Sequence, residues 1–192
     1  MNNFEALIEN LDLKLFEKIP SQSTEHDKQS LLAVQKAARE LKSGYKYLEI
    51  GSYLGGSIQP YLLDDKCAHI YSIDKRPAVQ PDARGIDYAY ENNSTARMLE
   101  KLKDVAPEKL NKITTIDGDT SEISAADVKD KVQICFIDGE HTDEAALRDF
   151  KFCYETLAED GAIVFHDSQI TYNGIADSLK FLDSKSIKYN AY

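Results

Sequence analysis

The sequence has no uninterrupted apolar run near the roughly 18 residues a membrane-spanning helix needs. Its first residues, Met1-Asn2-Asn3-Phe4-Glu5, are not a basic stretch ahead of an apolar one. Neither a membrane contact nor a secretory leader is expected, and a cytoplasmic location is. Basic residues are scarce too: 23 Lys and Arg stand against 33 Asp and Glu, giving a formal charge of −10 and a pI near 4.9, with no basic cluster. Such a surface repels a phosphate backbone, so nucleic acid is not an expected partner. The cysteines, Cys67, Cys135 and Cys153, are odd in number, lie in apolar settings such as Ile134-Cys135-Phe136, and show neither CxxC nor Cys/His metal spacing. They read as reduced core thiols. Internal repeats, low-complexity tracts and Pro/Gly/Ser linkers are also missing, which argues against a second independent domain. What is present is ordinary globular composition, 42% hydrophobic and 29% charged over 192 residues. That is enough for one domain burying roughly 70% of its unfolded surface, and it excludes intrinsic disorder.

Periodicity divides the chain into an N-terminal helical segment, 1–44, packing on a core of 45–192. Between Met1 and Ile19, the apolar positions Phe4, Leu7, Ile8, Leu11, Leu15 and Phe16 have helical spacing, closed by Pro20. A second helix carries Leu31, Leu32, Val34, Ala37, Ala38 and Leu41 and stops at Ser43-Gly44. The period then changes: 45–50, 70–73, 113–116, 132–137 and 162–165 read as strands. Helices are expected over 92–104, from a Thr142 cap through Leu157, and near 175–182, with a last strand from Ile187. Buried apolar strands separated by helices predict an α/β fold with a doubly wound, mostly parallel, Rossmann-like sheet.

In such sheets ligands bind beyond the carboxyl ends of the strands, near the point where strand order reverses. Here those ends carry Glu49-Ile50-Gly51, Asp74, Asp117-Gly118-Asp119, Asp138-Gly139-Glu140-His141 and His166-Asp167. One such Asp alone is more simply a helix cap, but five in succession point to a site. The loop after the first strand, Gly51-Ser52-Tyr53-Leu54-Gly55-Gly56-Ser57, is glycine-rich, with Gly51 suited to positive φ and Gly55-Gly56 open to close ligand approach. A dinucleotide fingerprint needs glycine where Tyr53 stands. A phosphate-binding P-loop needs Lys where Ser57 stands and a hydroxyl where Ile58 stands. Ligands bound through phosphates are therefore not expected.

The remaining E-x-G-x-x-x-G arrangement from Glu49 resembles motif I of the class I S-adenosylmethionine-dependent methyltransferases, with Asp74 ending the second strand. Three further segments are similar to this family over roughly 30–185. Ile116-Asp117-Gly118-Asp119-Thr120 looks like its adenine-side segment. Phe136-Ile137-Asp138-Gly139-Glu140-His141-Thr142 resembles a stretch of the macrocin and catechol O-methyltransferase-like groups. Leu157 to Asp167 matches their L-x-x-G-G-x-x-x-x-x-D pattern, with Asp160 where Gly is common. The resemblance implies S-adenosylmethionine as methyl donor, held by Glu49, Gly51, Ser52, Tyr53, Gly55, Ser57, Asp74, Gly118, Asp119 and Asp138. Asp74 would accept the ribose hydroxyls, and Glu49 would orient the amino group or else bind loop amides. The family sheet closes with a strand pair whose last member is antiparallel. Between His166-Asp167 and Tyr192 there is room for one helix and one strand, so that pair is expected to be incomplete.

Methyl transfer is an in-line displacement, which needs an aligned nucleophile with its proton weakened or removed. Related metal-dependent enzymes hold the substrate hydroxyl on a divalent cation at the ends of the fourth and fifth strands. Asp138, His166 and Asp167 stand there as the expected metal ligands, and Asp138, His141 and His166 form the expected catalytic set. All-oxygen ligation favours magnesium, while an imidazole widens the choice to manganese, iron or zinc. Alternatively, Asp138 caps a helix and His166 bonds within its loop. His141 is a candidate general base, because an imidazole titrates near neutrality, or a loop histidine bonded to backbone. His26 and His69 read as structural, and Tyr53 and Tyr172 as pocket walls. The expected function is O-methylation of a small hydroxylated acceptor, a sugar or natural product, with a homo-oligomer left open. Two rivals are a donor-binding domain of a larger biosynthetic protein that performs no methylation and, opposed by Tyr53, a nicotinamide oxidoreductase.

Overall fold

A computed structural model describes residues 3–192. Five strands form one parallel sheet: β1 (Tyr45–Ile50), β2 (Cys67–Asp74), β5 (Ile113–Asp117), β6 (Val132–Ile137) and β7 (Leu157–Phe165), in the order β5-β2-β1-β6-β7. The chain winds outward from β1 to one edge and then returns to build the other side, so strand order reverses between β1 and β6. All six β6 residues are buried, as a central strand covered on both faces requires. Alternation sorts side chains into two cores. Tyr45 and Tyr47 of β1 with Ile134 and Phe136 of β6 face the N-terminal helices, packing with Phe4, Ile8, Phe16 and Leu32. Leu48, Ile50, Cys135 and Ile137 face Phe150, Cys153 and Leu182. All three cysteines are buried and free.

Helix α1 (Asn3–Glu9) stops well short of Pro20, where the apolar spacing placed the end of the first element. Asn10 Nδ2 donates to Ala6 O, Leu11 turns to φ +50°, and Asp12 caps a 3-10 turn over Leu13–Phe16. Short polar side chains bonding locally to backbone break the helix where its apolar spacing continues. Helix α2 (Glu25–Leu41) starts earlier than the apolar stripe suggests, because Thr24 and Asp27 form a reciprocal capping box. Helix α3 (Gln59–Leu63) follows the glycine loop, α4 (Thr95–Lys103) is capped by Ser94, and α5 (Asp143–Thr156) by Thr142 as expected. After α6 (Tyr172–Ser184) the expected strand is absent among the described residues. Ser186 adopts φ +56° and Ile187 N–H returns to Leu182 O, so Ile187 closes a helix cap. The sheet thus has no antiparallel member among those residues.

A separate antiparallel hairpin, β3 (Val79–Asp82) and β4 (Ile86–Ala89), interrupts the connection from β2 to α4 and had no counterpart in the sequence reading. Pro77 and Pro81 obscure its alternation, whereas Gly85 at φ +78° is a legible turn signal. Ala83 N–H donates to His141 O at 2.8 Å, pinning the hairpin to the loop that leaves β6. Among the described residues no helix is long and apolar enough to cross a membrane.

Candidate active site

Ladder-like bonds continue past the strand ends and fix the loops in register. Gly51 N–H donates to Ile73 O, Asp138 N–H to Ile50 O, and His166 N–H to Ile137 O, at 2.8–2.9 Å. Gly51 is required twice over: its φ is +91°, and a Cβ there would overlap the Asp138 carbonyl. Space beside the other two loop glycines is taken by protein. A Cβ at Gly55 would meet Leu102 at 3.1 Å and one at Gly56 would meet Ser21 at 2.6 Å, so these glycines serve close packing against α4 and the segment before α2. Tyr53 is held at φ +40°, its N–H on Asp74 Oδ2 (2.8 Å) and its carbonyl on Arg76 Nη1 (2.7 Å). Asp74 Oδ1 takes Arg76 N–H at 2.6 Å. The buried Asp74 carboxylate therefore clamps the glycine loop to the end of β2.

Ser52 accepts from Ser72 Oγ at 2.8 Å and is buried, as is Ser57, whose hydroxyl serves Glu49. Glu49 is 1% exposed and accepts from Tyr47 Oη at 2.8 Å. Burial pushes its carboxyl up to about 8 against the opposing bonds from Tyr47 and Ser57. A cleft beside this loop is lined by Gly51, Asp74, Lys75, Gly118, Asp119 and Glu140. Lys75 pairs with Glu140 across it and lies 3.8 Å from Asp119, while Arg148 Nε is 3.3 Å from Asp119. Burial tends to raise the Asp119 carboxyl, but bonds from Ser121 and the charges of Arg148 and Lys75 hold it low. Asp149, buried behind Gly139 and bonded to Thr120, is pushed up to about 6 by burial.

At the ends of β6 and β7, Asp138, His141 and Asp167 converge, one ligand atom from each lying within 4.8 Å of the others. That donor set, two carboxylates and an imidazole, suits a divalent cation. His166 Nδ1 sits 3.0 Å from Asp138 Oδ1 and 2.9 Å from Asp167 Oδ2. Burial opposes its charge, yet hydrogen bonds to and charges of these two carboxylates raise it to about 10. His166 therefore acts here as their counter-ion. Burial raises the Asp138 carboxyl, whereas the bond from His166 lowers that of Asp167, which holds a left-handed φ of +49°. The Thr24–Asp27 cap of α2 overhangs this cluster, with Asp27 Oδ2 3.6 Å from His166 Nε2.

The structure thus brings the expected residues to one edge of the sheet in two groups: Gly51, Asp74, Gly118 and Asp119 on the cleft, and Asp138, His141, His166 and Asp167 beside one another. Glu49, Ser52 and Ser57 lie beneath the loop, Gly55 packs on Leu102, and Tyr172 is 69% exposed. Tyr53 stands edge-on to Tyr90 at 5.1 Å. Sequence reading missed Arg76, which ties Tyr53 to Asn93 and Thr95, and Asp82, which reaches His141 from the hairpin. Neither lies in a motif, although Arg76 follows a recognised strand-end Asp.

A family model described as a methyltransferase domain matches residues 48–168. No curated protein matches the chain. Among solved structures, a provisionally assigned caffeoyl-CoA O-methyltransferase from Staphylococcus aureus superposes with TM-score 0.55 at 17% identity, covering 97% of this chain and 84% of that one. A provisionally assigned O-methyltransferase from Klebsiella pneumoniae gives TM-score 0.55 at 11% identity, covering 94% and 77%. A Geobacter sulfurreducens S-adenosylmethionine-dependent methyltransferase in complex with S-adenosyl-L-homocysteine gives 0.49 at 16%, covering 86% and 55%. This chain therefore spans about half the length of that last protein. At these identities the likeness concerns the fold.

Proposed function

Because the chain belongs to the methyltransferase-domain family, we propose that it transfers the methyl group of S-adenosylmethionine to a hydroxyl of a small molecule, such as a sugar or natural product. The observation that carries this reading is the placement of the Gly51 loop, the cleft and the Asp–His cluster together at the strand-order reversal. The donor lacks phosphate, and the residues fit it: the loop lacks a P-loop lysine, Asp74 lines the cleft, and the cleft's cations Lys75 and Arg148 are already paired with Asp119 and Glu140. Asp74, Gly118 and Asp119 would hold the nucleoside, while Glu49 lies under the loop that would carry the amino acid portion. Bound there, the donor supplies the electrophilic methyl group.

Asp138, His141 and Asp167 would hold a divalent cation, which supplies charge that acidifies an oxygen brought to it. His166 holds the two carboxylates together, keeping Asp138 oriented where β6 and β7 end. Tyr88, edge-on to His141 at 6.0 Å, would offer aromatic surface beside the cluster to a planar or ring-bearing acceptor. We place this activity in the cytoplasm, consistent with three free cysteines.

Calorimetry with S-adenosylmethionine, S-adenosylhomocysteine and NAD tests the donor: binding of the first two without NAD is expected, and the reverse would sink the reading. Mass spectrometry of methylated products from a library of hydroxylated molecules then identifies the acceptor. Donor binding without turnover on any of them would favour a binding domain.

A further inference from the structure

The hairpin between β2 and α4 supplies a carboxylate that no motif contains. The Asp82 side chain is fully buried and directed at the ring of His141, with Oδ2 3.0 Å from Nδ1. Arg84 holds it from the other side: its backbone N–H and Nε donate to Oδ1 at 2.9 and 2.8 Å, and Nη2 donates to Oδ2 at 2.8 Å. Surrounded by these donors Asp82 stays anionic and can only accept. It therefore selects the His141 tautomer carrying hydrogen on Nδ1. The same bond turns Nε2 toward Asp167 Oδ2 at 3.2 Å, within the cluster that also contains Asp138, where a bound cation would take its lone pair. Three electron-pair donors then converge, and the imidazole is oriented from behind by a carboxylate.

Resting on the cation-assisted form of the function proposed above, we infer that Asp82 is the positioning residue that makes His141 a nitrogen ligand of the Asp138–Asp167 cation site. Histidine ligands generally donate their second ring N–H to an outer carboxylate or carbonyl, which fixes the tautomer and raises ligand basicity. Arg84 makes the arrangement directional. An Asn at position 82 would keep its carbonyl oxygen on two of the three Arg84 donors, the backbone N–H and Nε, and turn its amide N–H₂ toward His141, forcing Nδ1 to accept and placing hydrogen on Nε2, where a cation would have to bind. A mixed nitrogen and oxygen site of this kind takes manganese, cobalt or zinc in preference to magnesium, which favours an all-oxygen shell. The β3–β4 hairpin is thus part of the site as well as a cover over it.

The test uses the full chain and reads Mn²⁺ binding by electron paramagnetic resonance, independently of turnover. Wild type should bind Mn²⁺, excess Mg²⁺ should displace it poorly, and Asp138→Asn should abolish binding. Asp82→Asn should weaken it about 10–100-fold, the range for loss of an outer carboxylate. In a His141→Ala background Asp82→Asn should have no further effect. Long-range ¹H–¹⁵N spectra of the His141 ring should report the Nδ1–H form in wild type and the Nε2–H form in Asp82→Asn, a change that mere loosening of the hairpin would not produce. Equal Mn²⁺ affinity in wild type and Asp82→Asn, or an undiminished effect of Asp82→Asn without His141, would overturn the inference alone. Absence of Mn²⁺ binding by wild type would overturn both this inference and the cation-assisted reaction, leaving donor binding untouched.

Discussion

Two charge clusters, each built on a fully buried carboxylate, lie at opposite ends of the same sheet, and they are balanced differently. At the amino ends of β1 and β2, Asp64 accepts from Arg39 Nε (3.0 Å), Tyr45 Oη (2.9 Å) and Lys66 N–H (2.9 Å), and Arg39 continues to Glu5 of α1. A permanent guanidinium and hydroxyl donors close that network and lock the N-terminal helix to the core. At the carboxyl ends, three carboxylates, Asp82, Asp138 and Asp167, share one guanidinium and two imidazoles, and His166 Nε2 has no hydrogen-bond partner. The first cluster is balanced by a guanidinium, a group that stays charged at any physiological pH. The second uses groups that can exchange a proton or donate an electron pair to a cation. Burial alone therefore does not mark a functional site; the chemical type of the balancing group does.

The largest effect should come from breaking the fixed cluster. Arg39→Leu strands Asp64, whose side chain is 1% exposed, and should cost about 3–5 kcal/mol in denaturant unfolding. Donor affinity of the folded protein should barely change. Asp138→Asn should do the opposite: methyl transfer to an identified acceptor should fall by about 100-fold or more, because in the proposed reaction it deletes a cation ligand. The melting temperature should hold, because burial already disfavours the charge it removes. A fall in both quantities for either variant would erase the contrast.

Asp74→Ala lies between these extremes, since Asp74 both clamps the loop through Tyr53 and Arg76 and lines the cleft. Donor affinity should drop by about 2–3 kcal/mol in calorimetry, the range for bonds to a charged group. An unchanged dissociation constant would reduce Asp74 to a loop clamp. The last expected effect is a pH dependence. Glu49, pushed up to about 8 by burial from an ordinary 4.5, keeps a proton that the unfolded chain has lost between those values. Its contribution to stability is thus full below about pH 4.5, is lost as pH rises toward 8, and is level above that. The slope is at most about 1.4 kcal/mol per pH unit. Urea titrations at pH 5 and pH 8 should show Glu49→Gln gaining stability relative to wild type at the higher pH.

The parallel sheet, the helix cap at Thr142, and the strand-end acids were legible because each depends on local pattern: apolar runs, a capping side chain, and Gly or Asp where a buried strand meets water. The same patterning brought Asp138, His141, His166 and Asp167 under suspicion together. It misjudged the stretch before Pro20 and the segment from Ile187. In both, a left-handed residue, Leu11 or Ser186, redirects the backbone without changing the hydrophobic spacing.

What the sequence by itself determined is which residues end strands β1, β2, β5, β6 and β7, and hence which side chains meet at one edge. Division of labour within that edge was decided only by tertiary structure. Whether Gly55 faces ligand or Leu102, and which ring nitrogens of His166 and His141 meet Asp138 and Asp167, depends on contacts between residues far apart in the chain. Asp82 is the clearest instance: it lies 59 positions from His141, in a hairpin outside the sheet, and is directed at that ring by Arg84 and by the bond from Ala83 to the His141 carbonyl. No one-dimensional spacing encodes that bond, because it exists only once β6 and the hairpin have docked.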